Sequence, residues 1–525
     1  MKGQVAAADE AAGVAGAGLA LLLAGSVVYL VVAAALGPLS GNVDTFAFKD
    51  AAANLALGQG FTTVFNFGNP TAATLVYAGH PPAYPFLSGL WFSLFGVSVE
   101  SNSLFEDLLR VVLALVLWLA VAPSVARRWR WLLALLLVLG LPAGMTGLMH
   151  DRPDVLALIL AIAAPLPLGR RPDRRGAAGS ALLAGLALTV SPIGGILAVL
   201  GIGAQWLLAG PGRPSLLAMA VIGATGLLLP MTAIVLSLWS VDPTYPARLF
   251  GFVQDGGGWI AGQDSAGLGF VSLLFRDPAL LLQKVAASFT TVHHWANLAV
   301  LLAVAAAIVH AVATAPWKEA PRGRAGRALA FLVLSLFLFL CVVVFGWNRG
   351  YPTVFALVLI ALYARIVPSS RGGLPVLLPL ALGVLLSAPL TGIGLVQRAA
   401  MADSLQRMEL WLGQHPLPDA DGDGRVVVAL DPASHLLFRN AGYDTLVWWQ
   451  PSIATDELLA RADAFAFSFN GTGDADQAAY PAWWTPALGT LLYRPALPQV
   501  PRLFGVALSR SSKTWEVELW RARPR

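Results

Sequence analysis

The stretch LALLLAGSVVYLVVAAAL, residues 19–36, decides the fold of this chain. It contains no charged side chain, and about 18 or more apolar residues in a row predict a helix that crosses the roughly 30 Å hydrocarbon layer of a bilayer. The whole chain of 525 residues shares this character, since 57% of it is hydrophobic, 12% is charged and its mean hydropathy is +0.70. Soluble domains are about 25% charged. The composition therefore predicts an α-helical polytopic membrane protein and excludes a soluble globular one.

Ten further apolar runs follow the first, so we expect about eleven transmembrane helices. The runs cover residues 108–121, 131–148, 155–168, 177–190, 193–208, 216–238, 295–312, 328–345, 354–366 and 374–390. The sequence SPIGG at residues 191–195 breaks one pair of runs, which predicts either a hairpin or a re-entrant element there.

Positive charges fall in alternate loops, and this pattern predicts the orientation. Lysine and arginine accumulate in short cytoplasmic loops. Here they follow the even-numbered spans, as Arg127, Arg128, Arg130, Arg170, Arg171, Arg174, Arg175, Arg213, Lys318, Arg322, Arg324, Arg327 and Arg371. We therefore expect a cytoplasmic N-terminus, with the first loop, the loop around Asp151, residues 241–292 and the C-terminal tail on the extracytoplasmic side. The first run is long and only Lys2 precedes it as a basic residue, so a span is favoured over a signal peptide.

The composition changes near the C-terminus, where polar and charged residues dominate from residue 397 onward. This change predicts a membrane domain over residues 1–396 and a soluble domain over residues 397–525. The segments RVVVAL, residues 425–430, and DAFAFSF, residues 463–469, predict buried strands, and residues 433–440 predict a short helix. We expect a small α/β domain.

Two partner classes are not expected from the sequence. The formal charge of +5 is spread over clusters between apolar runs, which indicates membrane topology, so no nucleic-acid partner is predicted. No glycine-rich phosphate-binding motif follows a strand, so a nucleotide-linked donor is not predicted either. The single cysteine, Cys341, offers neither a disulfide within the chain nor a cysteine metal site.

The first outer loop carries acidic residues close to the membrane, in GNVDTFAFKD at residues 41–50. Apolar residues then recur at helical spacing up to Ala56, which predicts an amphipathic helix lying along the membrane surface and ending at Gly58 and Gly60. Residues 85–95 predict a second amphipathic helix. Asp44 fits either chemistry or the cap of the first helix. For Asp50, a position facing solvent beside Lys49 is favoured over a catalytic role.

The order of these elements resembles a family of membrane enzymes. The elements are Asp44 after the first span, ANLALGQG at residues 53–60, HPPAYP at residues 80–85 and LFG at residues 94–96. They resemble multispanning GT-C glycosyltransferases of the protein mannosyltransferase and aminoarabinose transferase type, or glycosyltransferase family 39. The motifs lie within the first hundred residues. The rest of the chain resembles the family only in the layout of its apolar runs and loops.

The resemblance implies an enzyme of a bacterial-type cytoplasmic membrane that moves a sugar from a polyprenyl-phosphate donor to a glycan, lipid or protein acceptor outside the cell. Asp44 would match the family's catalytic acid, either as the general base or as the ligand of a divalent metal such as Mg²⁺ or Mn²⁺. A carboxylate can accept the proton of an attacking hydroxyl, while the leaving phosphate needs cations. His80 and Tyr84 of the HPPAYP motif would contact substrate.

A second acidic cluster, HDRPD at residues 150–154, lies at the outer start of the fourth span. Proline and aspartate suit the first turn of a helix, so an Asp–Arg pair at a helix start is one interpretation. GT-C enzymes often carry an acidic residue on this loop, so catalysis by Asp151 or Asp154 is the other. The sequence does not decide between the two carboxylates.

The outward-facing cations are candidates for binding the donor phosphate. Arg349 in GWNRGYP comes first, and Arg248 and Lys284 follow, because arginine binds phosphate through two parallel hydrogen bonds. His293 and His294 are candidate metal ligands or acceptor contacts, but neighbouring helical residues point about 100° apart and would not chelate together. Interfacial anchoring is the structural alternative for these residues.

Two other functions remain open at this point. A transporter or flippase would also be polytopic, but it is expected to place ionisable groups or broken helices near mid-membrane, whereas here they gather at the outer rim. A subunit of cell-envelope polysaccharide assembly is the second alternative, with Trp448, Trp449, Trp483 and Trp484 as surfaces for glycan stacking.

Overall fold

The computed structural model describes two blocks of the chain with short gaps. The described residues are 2–38, 44–64, 75–78, 80–141, 151–208, 212–254, 361, 374–419, 422–430, 434–447, 455–468, 480, 483–495, 502–503, 506–507 and 517–522. Four candidate residues, Lys284, His293, His294 and Arg349, lie outside these ranges, and so do the predicted spans between residues 295 and 366 apart from Ala361.

Helices dominate the described residues. They are α1 (Lys2–Leu36), α2 (Asp44–Ala56), α3 (Ala83–Phe95), α4 (Val99–Val121), α5 (Arg130–Gly140), α6 (Asp154–Ala163), α7 (Leu166–Arg170), α8 (Arg174–Val190), α9 (Pro192–Leu208), α10 (Leu216–Trp239), α11 (Tyr245–Gln254), α12 (Leu374–Gln414), α13 (His435–Asn440) and α14 (Thr455–Arg461). Every apolar run predicted within the described residues coincides with one or more of these helices.

Two described helices are long and apolar enough to cross a membrane by themselves, Gly16–Leu36 within α1 and Leu216–Trp239, which is α10. Val27, Val28 and Val31 of α1 are each more than half exposed, as expected for side chains that face lipid. The predicted total of about eleven spans stays a prediction.

The SPIGG break produces two helices, α8 and α9, that pack against each other, in agreement with the hairpin alternative. Ser191 between them is extended and Pro192 begins α9. Close packing continues toward α10, because a Cβ on Gly185 would lie 2.2 Å from the carbonyl oxygen of Gly226. Small residues at such crossings let helices approach closely in lipid.

The predicted first-loop helix forms as α2 and ends where expected, since Gly58 and Gly60 have positive φ angles of 75° and 82°. Residues 45–54 are all buried, so the expectation of a helix with only one buried face is wrong, while its position along the membrane surface stays a prediction. Helix α3 packs on α2 from one side and α13 from another. Lys49 and Asp50 are therefore buried, which corrects the expectation that Asp50 faces solvent.

The second predicted amphipathic helix is α3. It buries Tyr84, Ser88 and Phe92, and five of its other apolar side chains are exposed, namely Phe86, Leu87, Leu90, Leu94 and Phe95. A contiguous exposed apolar face of this kind suits contact with lipid.

The C-terminal part contains the predicted strands and helix. The strands are β3 (Val427–Leu430), β4 (Asp444–Val447), β5 (Ala464–Ser468), β6 (Gly489–Tyr493) and β9 (Val517–Ala522), which form one sheet in the order β4-β3-β5-β9-β6. Strands β3, β4 and β5 are parallel, whereas β9 runs antiparallel to β5 and β6. Two small antiparallel pairs are β1 (Thr62–Thr63) with β2 (Leu75–Val76), and β7 (Arg502–Leu503) with β8 (Val506–Ala507).

Helix α12 connects the two parts without a break. It extends over 41 residues and crosses the predicted domain boundary at residue 396. The change in composition therefore falls inside a helix, whose Met401, Leu405 and Met408 beyond the boundary are still buried in the hydrophobic core.

Candidate functional site

The two acidic loops predicted from the sequence meet at the start of α2. Thr45 Oγ1 donates a hydrogen bond to Asp151 Oδ2 over 2.6 Å, and Asn102 Nδ2 donates to Asp151 Oδ1 over 2.5 Å. Asp151 is fully buried and has a φ of 61°, a backbone conformation that is rare outside glycine and is found at functional sites. One carboxylate therefore joins α2, α4 and the segment before α6.

Asp44 is the first residue of α2 and directly precedes Thr45. Its side chain lies outside the described residues, so the structure gives the position of its backbone only. That position places Asp44 beside the residue that binds Asp151. Its role as general base or metal ligand stays a prediction.

The structure distinguishes the two carboxylates of the second cluster. Asp154 begins α6 and accepts from Arg152 Nε over 2.7 Å, which is the predicted pair at a helix start. Asp151 instead binds side chains from two other elements. Of the two candidates, Asp151 is the one tied to the acidic end of the first loop.

A buried ion pair that the sequence did not predict supports the same helix. Lys49 Nζ lies 3.0 Å from Glu106 Oε1 and 3.0 Å from Ser88 Oγ, and Tyr84 donates to Glu106 Oε1 as well. Lys49 and Glu106 are fully buried, and the Lys49 ammonium lies 4.4 Å from the centre of the Tyr84 ring. Buried charges persist when they are paired and hydrogen-bonded. The one feature of the sequence that could have indicated this pair is a lysine in an otherwise apolar stretch.

His80 and Tyr84 lie beside α2, and their predicted contact with substrate stays a prediction. The His80 ring packs 4.8 Å from the Phe48 ring. Burial, followed by the charge of Arg152, lowers the pKa of His80, so its imidazole is neutral near pH 7 and resists protonation. Burial raises the pKa of Tyr84, so its hydroxyl remains protonated and donates to Glu106.

Asp50 connects α2 to the C-terminal sheet domain. It accepts hydrogen bonds from Thr63 Oγ1 over 2.6 Å and from the Val64 amide over 3.3 Å, and its Oδ1 lies 3.7 Å from His435 Nε2. Burial raises the pKa of Asp50 to about 6. Burial lowers the pKa of His435, so this contact is not an ion pair near neutral pH.

The C-terminal domain contacts α2 through further polar groups. Arg439 Nη2 donates to Asn54 Oδ1 over 2.7 Å and to Gln59 Oε1 over 3.0 Å, while its Nη1 donates to Asp444 over 2.8 Å. The ring of Phe46 packs edge-on against His435 with centroids 4.6 Å apart. The domain is therefore docked by specific contacts on the helix that begins with Asp44.

A second buried network involves the end of α1, the helix that precedes α2 in the chain. Arg398 of α12 donates to Asp107 Oδ2 over 2.8 Å, to Ser103 Oγ over 3.1 Å and to the carbonyl oxygen of Gly37. Tyr29 of α1 donates to Asp107 Oδ1 over 2.8 Å. The network fixes Gly37, which directly follows α1 and lies seven positions before Asp44, against α4 and α12.

Arg248, the one described candidate for phosphate binding, joins the first loop to α11. Its Nη1 donates to the carbonyl oxygen of Val76 over 2.7 Å, and its Nη2 pairs with Asp242. Phosphate binding by Arg248, Arg349 and Lys284 stays a prediction. Within the described ranges, no three His, Cys, Asp or Glu side chains come together as a metal site, and a metal at Asp44 likewise stays a prediction.

Comparisons with known proteins find similar structures only. No protein-family model matches the chain, and no curated protein matches it. The arabinofuranosyltransferase AftD from Mycobacteria matches with a TM-score of 0.48 and 16% identity over 96% of this chain and 40% of that chain. ArnT from Cupriavidus metallidurans, bound to undecaprenyl phosphate, matches with a TM-score of 0.41 and 14% identity over 97% of this chain and 99% of that chain.

The apo oligosaccharyltransferase of Archaeoglobus fulgidus matches with a TM-score of 0.43 and 10% identity over 82% of this chain and 64% of that chain. The chain spans 40% of the length of the mycobacterial protein. Because every TM-score is below 0.5, no donor, acceptor or catalytic residue is inferred from them.

Proposed function

We propose that this chain is an integral-membrane glycosyltransferase that transfers a sugar from a polyprenyl-phosphate donor to a glycan, lipid or protein acceptor on the extracytoplasmic face of a bacterial-type cytoplasmic membrane. The observation that carries the proposal is the hydrogen bond from Thr45 to Asp151, because it unites the acidic ends of two outer loops at one place.

The proposed chemistry assigns a proton transfer to Asp44. Its carboxylate accepts the proton of the acceptor hydroxyl as the hydroxyl oxygen bonds to the anomeric carbon of the donor sugar. The bond between that carbon and the phosphate oxygen breaks, and its electron pair leaves with the polyprenyl phosphate. Arginines such as Arg349 and Arg248 stabilise the departing phosphate. Asp44 as a metal ligand is the alternative form of the same step.

The surrounding residues support this step by position. Asp151 holds the first turn of α2 through Thr45, and the Lys49–Glu106 pair holds the next turn. His80 is neutral and lies against the same helix through Phe48. Preorganised groups of this kind avoid reorganisation during the reaction.

The proposal is tested with purified full-length protein in detergent. Polyprenyl-phosphate sugars of several kinds are each labelled in the sugar, and release of the free polyprenyl phosphate is followed with and without an extract of cell-envelope acceptors. We expect one donor class to be consumed by the wild type and not by Asp44→Asn of equal thermal stability. Consumption of no donor, together with donor-lipid movement in proteoliposomes, would overturn the proposal in favour of transport.

A further inference from the structure

An exposed basic turn, residues 169–175, joins the end of α7 to the start of α8. Its sequence, GRRPDRR, contains four arginines, at positions 170, 171, 174 and 175. Its one acidic residue, Asp173, caps α8, because its Oδ1 accepts a hydrogen bond from the Gly176 amide over 2.9 Å. Among the described residues, no carboxylate pairs with any of the four arginines. The basic turn therefore carries four positive charges against one negative charge.

The basic turn is fixed at both ends by close contacts. A Cβ on Gly176 would lie 1.9 Å from the carbonyl oxygen of Arg171 and 2.9 Å from that of Pro167, so only glycine fits there. The Leu168 amide donates to the buried Ser180 Oγ over 3.1 Å. Positive charge is sufficient to orient a cytoplasmic loop and requires no particular loop shape. A fixed arrangement of cations additionally lowers the entropic cost of binding one ligand.

A fifth arginine, Arg213, lies near the basic turn at the end of α9. A Cβ on Gly169 would lie 3.3 Å from Gln205 Cδ, which places the last turn of α9 against the basic turn. The next residue, Trp206, holds Arg213, whose guanidinium carbon lies 4.4 Å from the centre of the indole ring and whose Nη1 donates to the Trp206 carbonyl oxygen over 3.2 Å. Tryptophan and arginine side chains of this kind are typical of the boundary between membrane and water.

The surface around Arg213 continues into an apolar surface that suits lipid. Helix α10 begins at Leu216, three positions after Arg213, and is long and apolar enough to cross a membrane. Its first two residues, Leu216 and Leu217, are 70% and 76% exposed. A ligand that matches both surfaces has a negatively charged head and an apolar tail, as anionic phospholipids do. Guanidinium groups bind phosphate oxygens through paired, charge-assisted hydrogen bonds.

We propose that the basic turn, together with Trp206 and Arg213, binds the phosphate head group of an anionic phospholipid of the surrounding membrane. The arginines follow the fourth and sixth predicted spans, so the lipid belongs to the leaflet opposite the one at which Asp44 is expected. This binding is independent of the proposed function, because no sugar donor or acceptor takes part in it.

Lipid binding is measured on the purified full-length chain in detergent by native mass spectrometry, which counts the bound lipid molecules. Phosphatidylglycerol and phosphatidylcholine with identical acyl chains are titrated in parallel, since the first head group is anionic and the second has no net charge. We expect phosphatidylglycerol to bind at least about tenfold more tightly, which corresponds to about 1.4 kcal/mol, and this preference to decrease as the concentration of ammonium acetate is raised. Equal binding of the two lipids would overturn the proposal.

A double variant and a matched control locate the site. Arg170→Gln/Arg171→Gln removes two neighbouring arginines of the basic turn, and Arg127→Gln/Arg128→Gln removes two neighbouring exposed arginines between α4 and α5. All four side chains are exposed, so neither variant removes a buried contact. We expect the first variant to weaken phosphatidylglycerol binding at least about fivefold, which is about 1 kcal/mol, and the second to leave it unchanged. Equal weakening by both variants would mean that any arginine on this side attracts the lipid, which contradicts a defined site.

Two competitors identify the source of the negative charge. Inorganic phosphate has no acyl chains to contact Leu216 and Leu217, and polyglutamate represents the surface of an acidic protein. We expect neither competitor, at the concentration of the lipid, to displace phosphatidylglycerol. Displacement by inorganic phosphate would reassign the basic turn to a free anion, and displacement by polyglutamate would reassign it to an acidic protein partner; either result would overturn the lipid assignment.

Discussion

Thr45 and Asp151 are 106 positions apart in the chain, yet Thr45 Oγ1 lies 2.6 Å from Asp151 Oδ2. This contact joins the first turn of α2 to the loop before α6, so the two outer loops form one structural unit. Asp151 has both carboxylate oxygens engaged by donors. Its position suits a positioning residue that acts on Asp44 through Thr45.

The first prediction concerns this hydrogen bond. We expect Thr45→Val and Asp151→Asn each to lower kcat for sugar transfer about 10- to 100-fold while KM for the donor changes little, because a hydrogen bond to a charged group contributes about 1.5–3 kcal/mol. The double variant should be little worse than either single variant. Ser237→Ala, which removes an exposed hydroxyl on α10, is the control. Additive losses in the double variant would contradict the coupling.

The second prediction concerns the Lys49–Glu106 pair. Removing one partner of a buried pair leaves a charge without compensation and costs about 3–5 kcal/mol. We therefore expect Lys49→Met and Glu106→Gln each to lower the midpoint of thermal unfolding strongly, and the double variant to recover part of the loss. Arg407→Ala, at an exposed pair, should have little effect. A double variant less stable than both single variants would contradict this account of the pair.

The third prediction concerns Asp50 and pH. Its pKa is about 6 in the folded protein against an ordinary 3.8, so the folded state binds the proton more tightly than the unfolded chain. The contribution of this proton to stability is complete below about pH 3.8 and is lost as pH rises through about 6. A pKa difference of about 2 corresponds to at most about 3 kcal/mol.

Asp50→Asn remains neutral at every pH, so we expect its stability relative to the wild type to increase between pH 4.5 and pH 7.5. His435 has the opposite trend because its pKa is lowered, and it is present in both proteins. The measurement is thermal unfolding in detergent across this pH range. A difference between variant and wild type that is constant with pH would show that Asp50 is not the group that titrates.

The fourth prediction concerns docking of the sheet domain. Arg439→Ala removes donors to Asn54 and Gln59, and we expect faster hydrogen exchange at the end of α2 and in residues 57–64. Arg425→Ala, at an exposed pair with Asp444, serves as the control and should leave exchange in α2 unchanged. Unaltered exchange in Arg439→Ala would mean that other contacts suffice to hold the domain.

The local structure of this chain was predictable because it depends on neighbours in sequence. The period of apolar residues predicted α2, and Gly58 and Gly60 predicted its end. A short run of apolar, mostly β-branched residues at 425–430 predicted a buried strand, which forms as β3 at residues 427–430. These patterns indicate the preferred backbone conformation and the face that is buried, and both depend on a short stretch of sequence.

What the sequence did not predict depends on distant contacts. Burial of Asp50 follows from α13, which is almost 400 residues away along the chain. The choice between Asp151 and Asp154 follows from Thr45 and Asn102, which belong to other helices. A periodic pattern shows that a face is buried but does not show what covers it.

The most direct test of the central claim is single-turnover sugar transfer by Asp44→Asn beside the wild type, with the same polyprenyl-phosphate donor bound to both. If Asp44 is the general base, we expect the rate of transfer to fall about 10²- to 10⁴-fold while donor affinity and thermal stability stay close to those of the wild type. An unchanged rate in Asp44→Asn would contradict the account and assign the chemistry to another carboxylate, with Asp151 and Asp154 tested next.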